Sequence, residues 1–346
     1  MKAIGLHKYL PIEHEESLLD IEIEKPIPSG KDLLVQVKAI SINPVDTKVR
    51  APKEKVEEKP KILGWDASGT VVETGEDCTD FKPGDDVFYA GSITRQGTYS
   101  EFHLVDERIV GKKPAALAHA EAAALPLTAI TAYEGLFDRL EIDPADKERN
   151  SRKRILIIGG AGGVGSIAIQ LAKWAGLSVI ATASRPETKE WAEKLGADHI
   201  INHHQSLKAE LETFQISEVE YIFCLNNTDQ HWRGMSEIIK PQGKICSIVE
   251  NREPLDLNLL KSKSVTFVWE FMFTRAMYQT ADMQEQQILL NKISELIDQG
   301  ILKTTINQTL SPINAENIKK AHQSLESGKT IGKIVLEHFT MRKKLD

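Results

Sequence analysis

The chain has 346 residues, 41% of them hydrophobic and 27% charged, with a formal net charge of −7 at pH 7. That length exceeds what one small core fills and points to two domains, while the acid excess argues against partners such as nucleic acid or an anionic membrane. Apolar runs are strand-length at most, and Met1-Lys2-Ala3-Ile4-Gly5-Leu6 gives way at once to polar residues. The expectation is a cytoplasmic protein with no membrane span.

Strands are expected first. Residues 33–40, after the turn Pro28-Ser29-Gly30, alternate Leu and Val with polar residues, as a half-buried strand does. Residues 51–61 are charged and proline-bounded and read as an exposed loop. Further strands are expected at 69–73, at 86–89 after Lys82-Pro83-Gly84-Asp85, and at 98–105, which together suggest a small β-domain.

The run Arg154-Ile155-Leu156-Ile157-Ile158 is a short apolar strand that opens into Gly159-Gly160-Ala161-Gly162-Gly163-Val164-Gly165. Gly160, Gly162 and Gly165 have G-x-G-x-x-G spacing, which serves a tight turn, close approach of backbone to phosphate, and close packing of helix on strand. Ile167, Leu171 and Trp174 then repeat at helical spacing up to Gly176, and residues 178–183 are a second apolar strand. A β-α-β unit of this kind binds a dinucleotide with its pyrophosphate on the free N–H groups of the helix. The backbone expected to cradle it is Gly160, Ala161, Gly162, Gly163 and Val164.

The end of the second strand selects between cofactors. An Asp or Glu there suits the ribose hydroxyls of NAD, but the chain reads Ala183-Ser184-Arg185-Pro186-Glu187-Thr188-Lys189. Ser184, Arg185 and Lys189 offer a hydroxyl and two cations, which favours the 2′-phosphate of NADPH. A second reading holds alongside it: Ser184 caps the following helix, since Ser-x-x-Glu with an early proline is a capping signature, and Arg185 is a solvated charge.

Strands are expected again at 199–201, 221–225, 244–249 and 265–269, mostly separated by helices, which is the behaviour of a doubly wound parallel sheet. A helix over 284–299, a strand near Thr305, a helix over 315–325 and a strand at 332–336 follow and fold back onto the β-domain. The basic end Met341-Arg342-Lys343-Lys344-Leu345-Asp346 reads as a frayed terminus. Cys78, Cys224 and Cys246 form no C-x-x-C pair, so neither a disulfide framework nor a cysteine-rich zinc lobe is expected.

Several motifs in order carry a resemblance: Ser41-Ile42-Asn43-Pro44-Val45-Asp46-Thr47, Ile62-Leu63-Gly64-Trp65-Asp66-Ala67-Ser68-Gly69, Lys82-Pro83-Gly84-Asp85, Leu125-Pro126-Leu127-Thr128-Ala129, the glycine loop, and Gly332-Lys333-Ile334-Val335-Leu336. Over nearly its whole length the chain resembles the medium-chain dehydrogenase/reductase superfamily, in its zinc-free quinone oxidoreductase branch. The resemblance implies an α/β protein with a GroES-like β-barrel catalytic domain (1–126 and 274–346) and a Rossmann cofactor domain with a doubly wound parallel sheet (127–273). It also implies an active site in the cleft between them, and a homodimer.

In zinc-dependent relatives a Cys lies near the position of Asn43, and a His-Glu pair stands where this chain has Trp65-Asp66. No metal is therefore expected, although Asp66 and His103 could each be a ligand or a buried polar core residue. Without a metal to polarise a carbonyl, reduction of an activated acceptor, a quinone or an α,β-unsaturated carbonyl, is the expected chemistry. Asn43, Asp46 and Lys48 are the catalytic candidates, with Lys48 either stabilising an enolate or solvated, and Asp46 either catalytic or a helix cap. By resemblance Asn43 also contacts the cofactor, as do Thr128, Cys224 with Asn226, Ser247 with Ile248, and Lys333, which is alternatively exposed. Residues 269–273 shape the acceptor pocket, a dimer contact or apolar core. Two other readings stay open: a zinc-type alcohol dehydrogenase with unusual ligands, and a non-catalytic NADPH-binding sensor or RNA-binding regulator.

Overall fold

A computed structural model describes residues 1–339, so the basic end of the chain lies outside the described residues. In chain order the strands are β1 (Lys2–Tyr9), β2 (Leu19–Glu22), β3 (Asp32–Ile42), β4 (Lys53–Ile62), β5 (Ala67–Thr74), β6 (Asp86–Tyr89), β7 (Phe102–Asp106) and β8 (Val110–Lys112). They continue as β9 (Arg154–Ile158), β10 (Ser178–Thr182), β11 (His199–Ile201), β12 (Val219–Cys224), β13 (Ile239–Ser247), β14 (Thr266–Trp269), β15 (Ile306–Leu310) and β16 (Lys333–Glu337). The chain divides into two compact units, Met1–Leu127 with the stretch from Phe273 onward, and Thr128–Met272.

The first unit holds two sheets. One has the order β2-β1-β4, the other β15-β16-β3-β5-β6-β8 with β7 also paired to β3. Both ends of the chain build it, because β16 lies antiparallel on β3 with Val335 opposite Ser41. Leu33, Leu34, Val35, Val37 and Ile40 are buried along β3, as their alternation and its apolar run require.

Residues 51–61 are not a loop. From Lys53 onward they form β4, antiparallel to β1, with Tyr9 opposite Lys53. β4 is an edge strand bonded on one side only, so it needs no apolar face, and charges and Pro60 are what such an edge tolerates. Tyr9 holds it from β1, hydrogen-bonding Glu57 and lying under Lys53 Nζ at 4.0 Å, and only its last residue, Ile62, is buried. β1 lacked a sequence signal because its apolar residues do not alternate cleanly with polar ones, and β2 because it has only four residues. The strand expected at 98–105 begins only at Phe102.

In the second unit six strands run parallel in the order β11-β10-β9-β12-β13-β14. The reversal of strand order falls between β9 and β12, the crevice where open α/β sheets bind ligands. Leu156, Ile158, Ile180, Ile222 and Ile245 fill one core of the sheet together with Trp232 and Met235. β14 is an edge, and Trp269 on it is 44% exposed, which leaves a large apolar side chain uncovered within this unit.

Candidate functional site

The glycine loop begins at the carboxyl end of β9. Gly159 has φ +92°, a conformation open to glycine, and its N–H donates to Thr182 Oγ1 at 3.0 Å. A Cβ on Gly160 would lie 2.8 Å from Ala181 Cβ, and one on Gly165 only 2.3 Å from the Gly159 carbonyl oxygen. Those two glycines are thus required by packing. A Cβ on Gly162 would meet only the Gly159 oxygen, at 3.5 Å. Gly162 caps the helix Gly163–Trp174, whose first-turn N–H groups have no partner within the helix. The room above Gly162 and the free N–H groups beside it fit a pyrophosphate.

Past β10, Arg185 rather than Ser184 stands at the N-cap of the helix Pro186–Lys194, and its backbone N–H donates to Thr188 Oγ1 at 3.1 Å. The capping pattern is therefore read one residue too early in the sequence. Proline at the first helical position sets the start, and the preceding residue becomes the cap. Ser184 is left half-buried at the strand end, and Arg185 is half-buried with Glu187 3.4 Å away. Lys189 is exposed one turn further on.

The ends of β12 and β13 are cross-linked. Ser247 Oγ lies 2.6 Å from Thr228 Oγ1, the Ile248 N–H donates to the Cys224 carbonyl at 3.2 Å, and Cys224 Sγ donates to the Asn226 carbonyl at 3.3 Å. Burial pushes the Cys224 thiol up to about 11, so it stays protonated. Asn226 is exposed, and Thr128, in the helix Pro126–Tyr133, is buried.

A buried acid pair in this unit carries no sequence signal. Glu270 follows β14 and donates its N–H to the Ser247 carbonyl at 2.9 Å. Its carboxylate meets Arg139 Nε at 2.8 Å, and Glu134 also approaches Arg139. Burial first, and the charge of Glu134 second, raise the Glu270 carboxyl far above the usual range. A period-based reading cannot find two acids 136 positions apart that meet only when the sheet closes.

In the first unit Asn43, Asp66 and Lys333 form one buried knot. Lys333 Nζ donates to Asp66 Oδ2 at 3.0 Å, to the Ile42 carbonyl at 3.1 Å, and to Asn43 Oδ1. Asn43 Nδ2 donates to Asp66 Oδ2 at 2.8 Å, and Asp66 Oδ1 accepts the Leu127 N–H at 2.7 Å. Lys333 is 3% exposed, and its three protons have acceptors within its own unit.

Asp46 sits beside the knot, at the third position of the helix Pro44–Arg50. Its Oδ2 accepts the Asn43 N–H at 2.7 Å, the capping geometry, and the Tyr99 hydroxyl at 2.9 Å. Burial raises its carboxyl to about 7. Behind Tyr99, His322 Nε2 is 3.2 Å from the hydroxyl and His322 Nδ1 accepts from Arg50 Nε at 3.3 Å. Burial, then Arg50, lowers this imidazole to about 3, so it is neutral with its proton on Nε2. Tyr99, Arg50 and His322 lie too far apart in sequence for any motif to join them. Lys48 is exposed on the same short helix.

These residues do not fit zinc. A catalytic zinc needs about three Cys, His or carboxylate ligands. At the corresponding positions stand a carboxamide, an indole and one carboxylate already held by an ammonium, and among the described residues no group of three or more His, Cys, Asp or Glu is arranged to hold a metal ion. His103 is buried core: its ring nitrogens lie 2.9 Å from the Gln96 carbonyl and 3.2 Å from the Tyr89 hydroxyl.

Comparison with known proteins agrees with this architecture. Residues 29–115 match the alcohol dehydrogenase GroES-like domain, and residues 195–336 match a zinc-binding dehydrogenase family. A zinc-type alcohol dehydrogenase-like protein of Staphylococcus aureus is 48% identical over 97% of this chain and 99% of its own. A solved structure of an alcohol dehydrogenase-type protein from Rhizobium etli is 51% identical with TM-score 0.93, over 99% of each chain. The Escherichia coli quinone oxidoreductase complexed with NADPH is 27% identical with TM-score 0.82, over 97% of this chain and 100% of that one. The chain belongs to the medium-chain dehydrogenase/reductase superfamily. It is an oxidoreductase with a GroES-like domain and a Rossmann-like parallel sheet, and no helix among its described residues is long and apolar enough to cross a membrane.

Proposed function

We propose that the protein is a metal-independent, NADPH-dependent reductase of quinones or α,β-unsaturated carbonyls that works as a homodimer. The observation that carries this reading is the Asn43–Asp66–Lys333 knot, in which an ammonium takes the place that a metal would need and leaves no Lewis acid for alcohol oxidation. The NADPH-bound quinone oxidoreductase among its structural relatives supports the same chemistry.

Gly160, Ala161, Gly162, Gly163 and Val164 would hold the pyrophosphate. Ser184, Arg185 and Lys189 would hold the adenosine 2′-phosphate, and Thr128, Cys224, Asn226, Ser247 and Ile248 the nicotinamide side. The nicotinamide supplies a hydride when bound, and an electron-poor alkene or quinone carbon accepts it without Lewis-acid help. The chain's part is to position the acceptor and to supply one proton to its oxygen. Asp46 is the candidate proton store: its carboxyl titrates near neutrality, and its Oδ1 accepts no hydrogen bond from the described residues. Asn43, at the cap of its helix, and Lys48, exposed on it, are the other catalytic candidates. The β14 edge, with Trp269 and Phe271 exposed, is the face we assign to the homodimer.

Oxidation of NADPH against quinones, enones, simple ketones and alcohols tests the reading, with zinc analysis of the same sample. Quinones or small enones should react fastest, ethanol negligibly, and activity should persist in chelator. Stoichiometric zinc whose removal abolishes turnover would establish the alcohol dehydrogenase reading instead, and cofactor binding without turnover over the panel would establish a sensor.

A further inference from the structure

Asp46, Tyr99, His322 and Arg50 form one hydrogen-bonded row in the first unit, and none of the four is more than 2% exposed. Asp46 and Arg50 lie a turn apart on the helix Pro44–Arg50, Tyr99 stands shortly before β7, and His322 belongs to the helix Ala315–Glu326. Each bond in the row has one permitted direction. A guanidinium only donates, so His322 Nδ1 accepts from Arg50 Nε at 3.3 Å, and the neutral imidazole carries its proton on Nε2. That N–H donates to the Tyr99 oxygen, 3.2 Å away, and the Tyr99 hydroxyl is left to donate to Asp46 Oδ2 at 2.9 Å. The remaining nitrogens of Arg50 donate to the Leu10 carbonyl at 2.6 Å and to Glu326, which is exposed.

The two oxygens of Asp46 are therefore unlike. Oδ2 receives the Tyr99 hydroxyl and the Asn43 N–H, whereas Oδ1 is buried and meets no hydrogen-bonding partner among the described residues. A proton on Oδ2 would face two hydrogens already aimed at that atom, so Oδ1 is the oxygen that carries it. When Oδ1 releases the proton, the charge left behind has its donors in place and nothing needs to turn. Tyr99 keeps its own proton throughout, because burial, and then the charge of Asp46, raise its hydroxyl well above the ordinary value. From other elements, Lys333 on β16 favours the ionised form of Asp46, and Asp66, just before β5, opposes it. Arg50 and Glu326 stand at the far end of the row.

We infer that His322, held by Arg50, is a positioning residue for proton delivery by Asp46: it fixes the Tyr99 hydroxyl as a donor to Oδ2 and so leaves the transferable proton on Oδ1. The inference rests on the reading of Asp46 as the proton store proposed above. In the step it serves, the Asp46 Oδ1–H bond breaks while an O–H bond forms on the acceptor's oxygen, and the acceptor's carbon takes the hydride of the nicotinamide. Asp46 is left ionised and regains a proton from solvent between turnovers. Only the protonated acid delivers, so kcat falls as pH rises through the Asp46 titration. Loss of a donor to Oδ2 disfavours the ionised form and moves that fall to higher pH.

Two readouts test this: the pH profile of kcat with a quinone acceptor, and the carboxyl carbon of Asp46 titrated by NMR in the protein without cofactor. The variants are Tyr99→Phe, His322→Leu, His322→Gln, and Tyr99→Phe combined with His322→Leu. Tyr99→Phe should move the falling limb and the carboxyl titration to higher pH by about one to two units, the worth of one hydrogen bond to a charged group. His322→Leu should move both the same way by less, and the double variant no further than Tyr99→Phe alone, because His322 acts through the hydroxyl. His322→Gln should hold both where the wild type has them, since an amide accepts from Arg50 through its oxygen and donates to Tyr99 through its nitrogen. A limb and a titration that stay put in Tyr99→Phe overturn the inference, as do shifts that simply add in the double variant. A lower melting temperature with an unmoved limb would reduce the row to packing. Should His322→Leu not fold, Tyr99→Phe, which loses only a hydroxyl, and His322→Gln decide. Asp46→Asn separates the inference from the reading beneath it. A falling limb that survives in Asp46→Asn defeats Asp46 as the proton store, whereas a limb lost there but unmoved by Tyr99→Phe defeats only the role of His322.

Discussion

Lys333 Nζ lies 3.0 Å from Asp66 Oδ2, and both side chains are buried. The pair joins β16, near the end of the chain, to the segment just before β5, so a cation from the last strand occupies the neighbourhood in which zinc-dependent relatives keep their ligands. Burial raises the Asp66 carboxyl and Lys333 opposes that rise, which is the balance expected of a desolvated ion pair.

Lys333→Met should therefore be costly. It leaves a buried carboxylate without its counter-charge, a loss of about 3–5 kcal/mol. Lys333→Met with Asp66→Asn removes both charges and keeps an acceptor for the Leu127 N–H, so it should be more stable than the single variant. Denaturant midpoints of the two variants check this; a single variant as stable as the double would show that the ion pair does not matter.

The glycine loop separates packing from binding. Gly165→Ala should destabilise, because its Cβ would press on the Gly159 carbonyl at 2.3 Å. Gly162→Ala meets only one atom, at 3.5 Å, and should melt close to the wild type while losing at least about tenfold in affinity for NADPH and NADH alike, since the methyl occupies the space a phosphate needs. Calorimetric titration beside thermal melting separates the two effects.

Arg185→Ala should weaken NADPH by roughly tenfold to a hundredfold, the worth of one charge-assisted contact of about 1.5–3 kcal/mol, and leave NADH nearly unchanged. Lys189, one helical turn on, shares the charge, so Arg185→Ala with Lys189→Ala should show the full loss. An unchanged NADPH-to-NADH ratio in the double variant would reduce Arg185 to a helix cap paired with Glu187.

Asp46 and His322 should tilt the pH dependence of stability in opposite directions. The Asp46 carboxyl is raised to about 7, so its contribution is full below its unfolded value near 3.8 and is lost as pH rises through about 7. The His322 imidazole is lowered to about 3, so its contribution is full above its unfolded value near 6.5 and is lost as pH falls toward about 3. Between these limits the two slopes oppose each other. Relative to the wild type, Asp46→Asn should lose more stability on going from neutral to acid pH, and His322→Gln less. Urea unfolding at a series of pH values measures both, and parallel curves for all three proteins would contradict the assignment.

Local patterns were legible where physics acts over a few residues. The glycine spacing predicted the loop after β9, the apolar runs predicted the parallel strands, and alternation predicted β3. The same reasoning misread residues 51–61, because an edge strand bonded on one side carries no apolar alternation, and it set the cap at Ser184 because proline and the capping pattern differ by one residue. Chain-distant groupings were invisible for a different reason. Asp66 with Lys333, Asp46 with Tyr99 and His322, and Glu134 with Glu270 are each assembled by the packing of elements across many intervening residues.

The sequence by itself determined the residue identities on which the proposed chemistry rests: a dinucleotide loop without an acid at the ribose position, no cysteine-rich zinc lobe, and neither the Cys nor the His-Glu pair of zinc relatives at Asn43 and Trp65-Asp66. These are statements about residue identity and short spacing, which a chain carries before it folds. Only the tertiary structure decided that Lys333 is held by Asp66 and Asn43 instead of lying exposed, and that Asp46 titrates near neutrality. Each of those depends on desolvation and on which charges face one another, and these quantities exist only once the strands have paired and water has left.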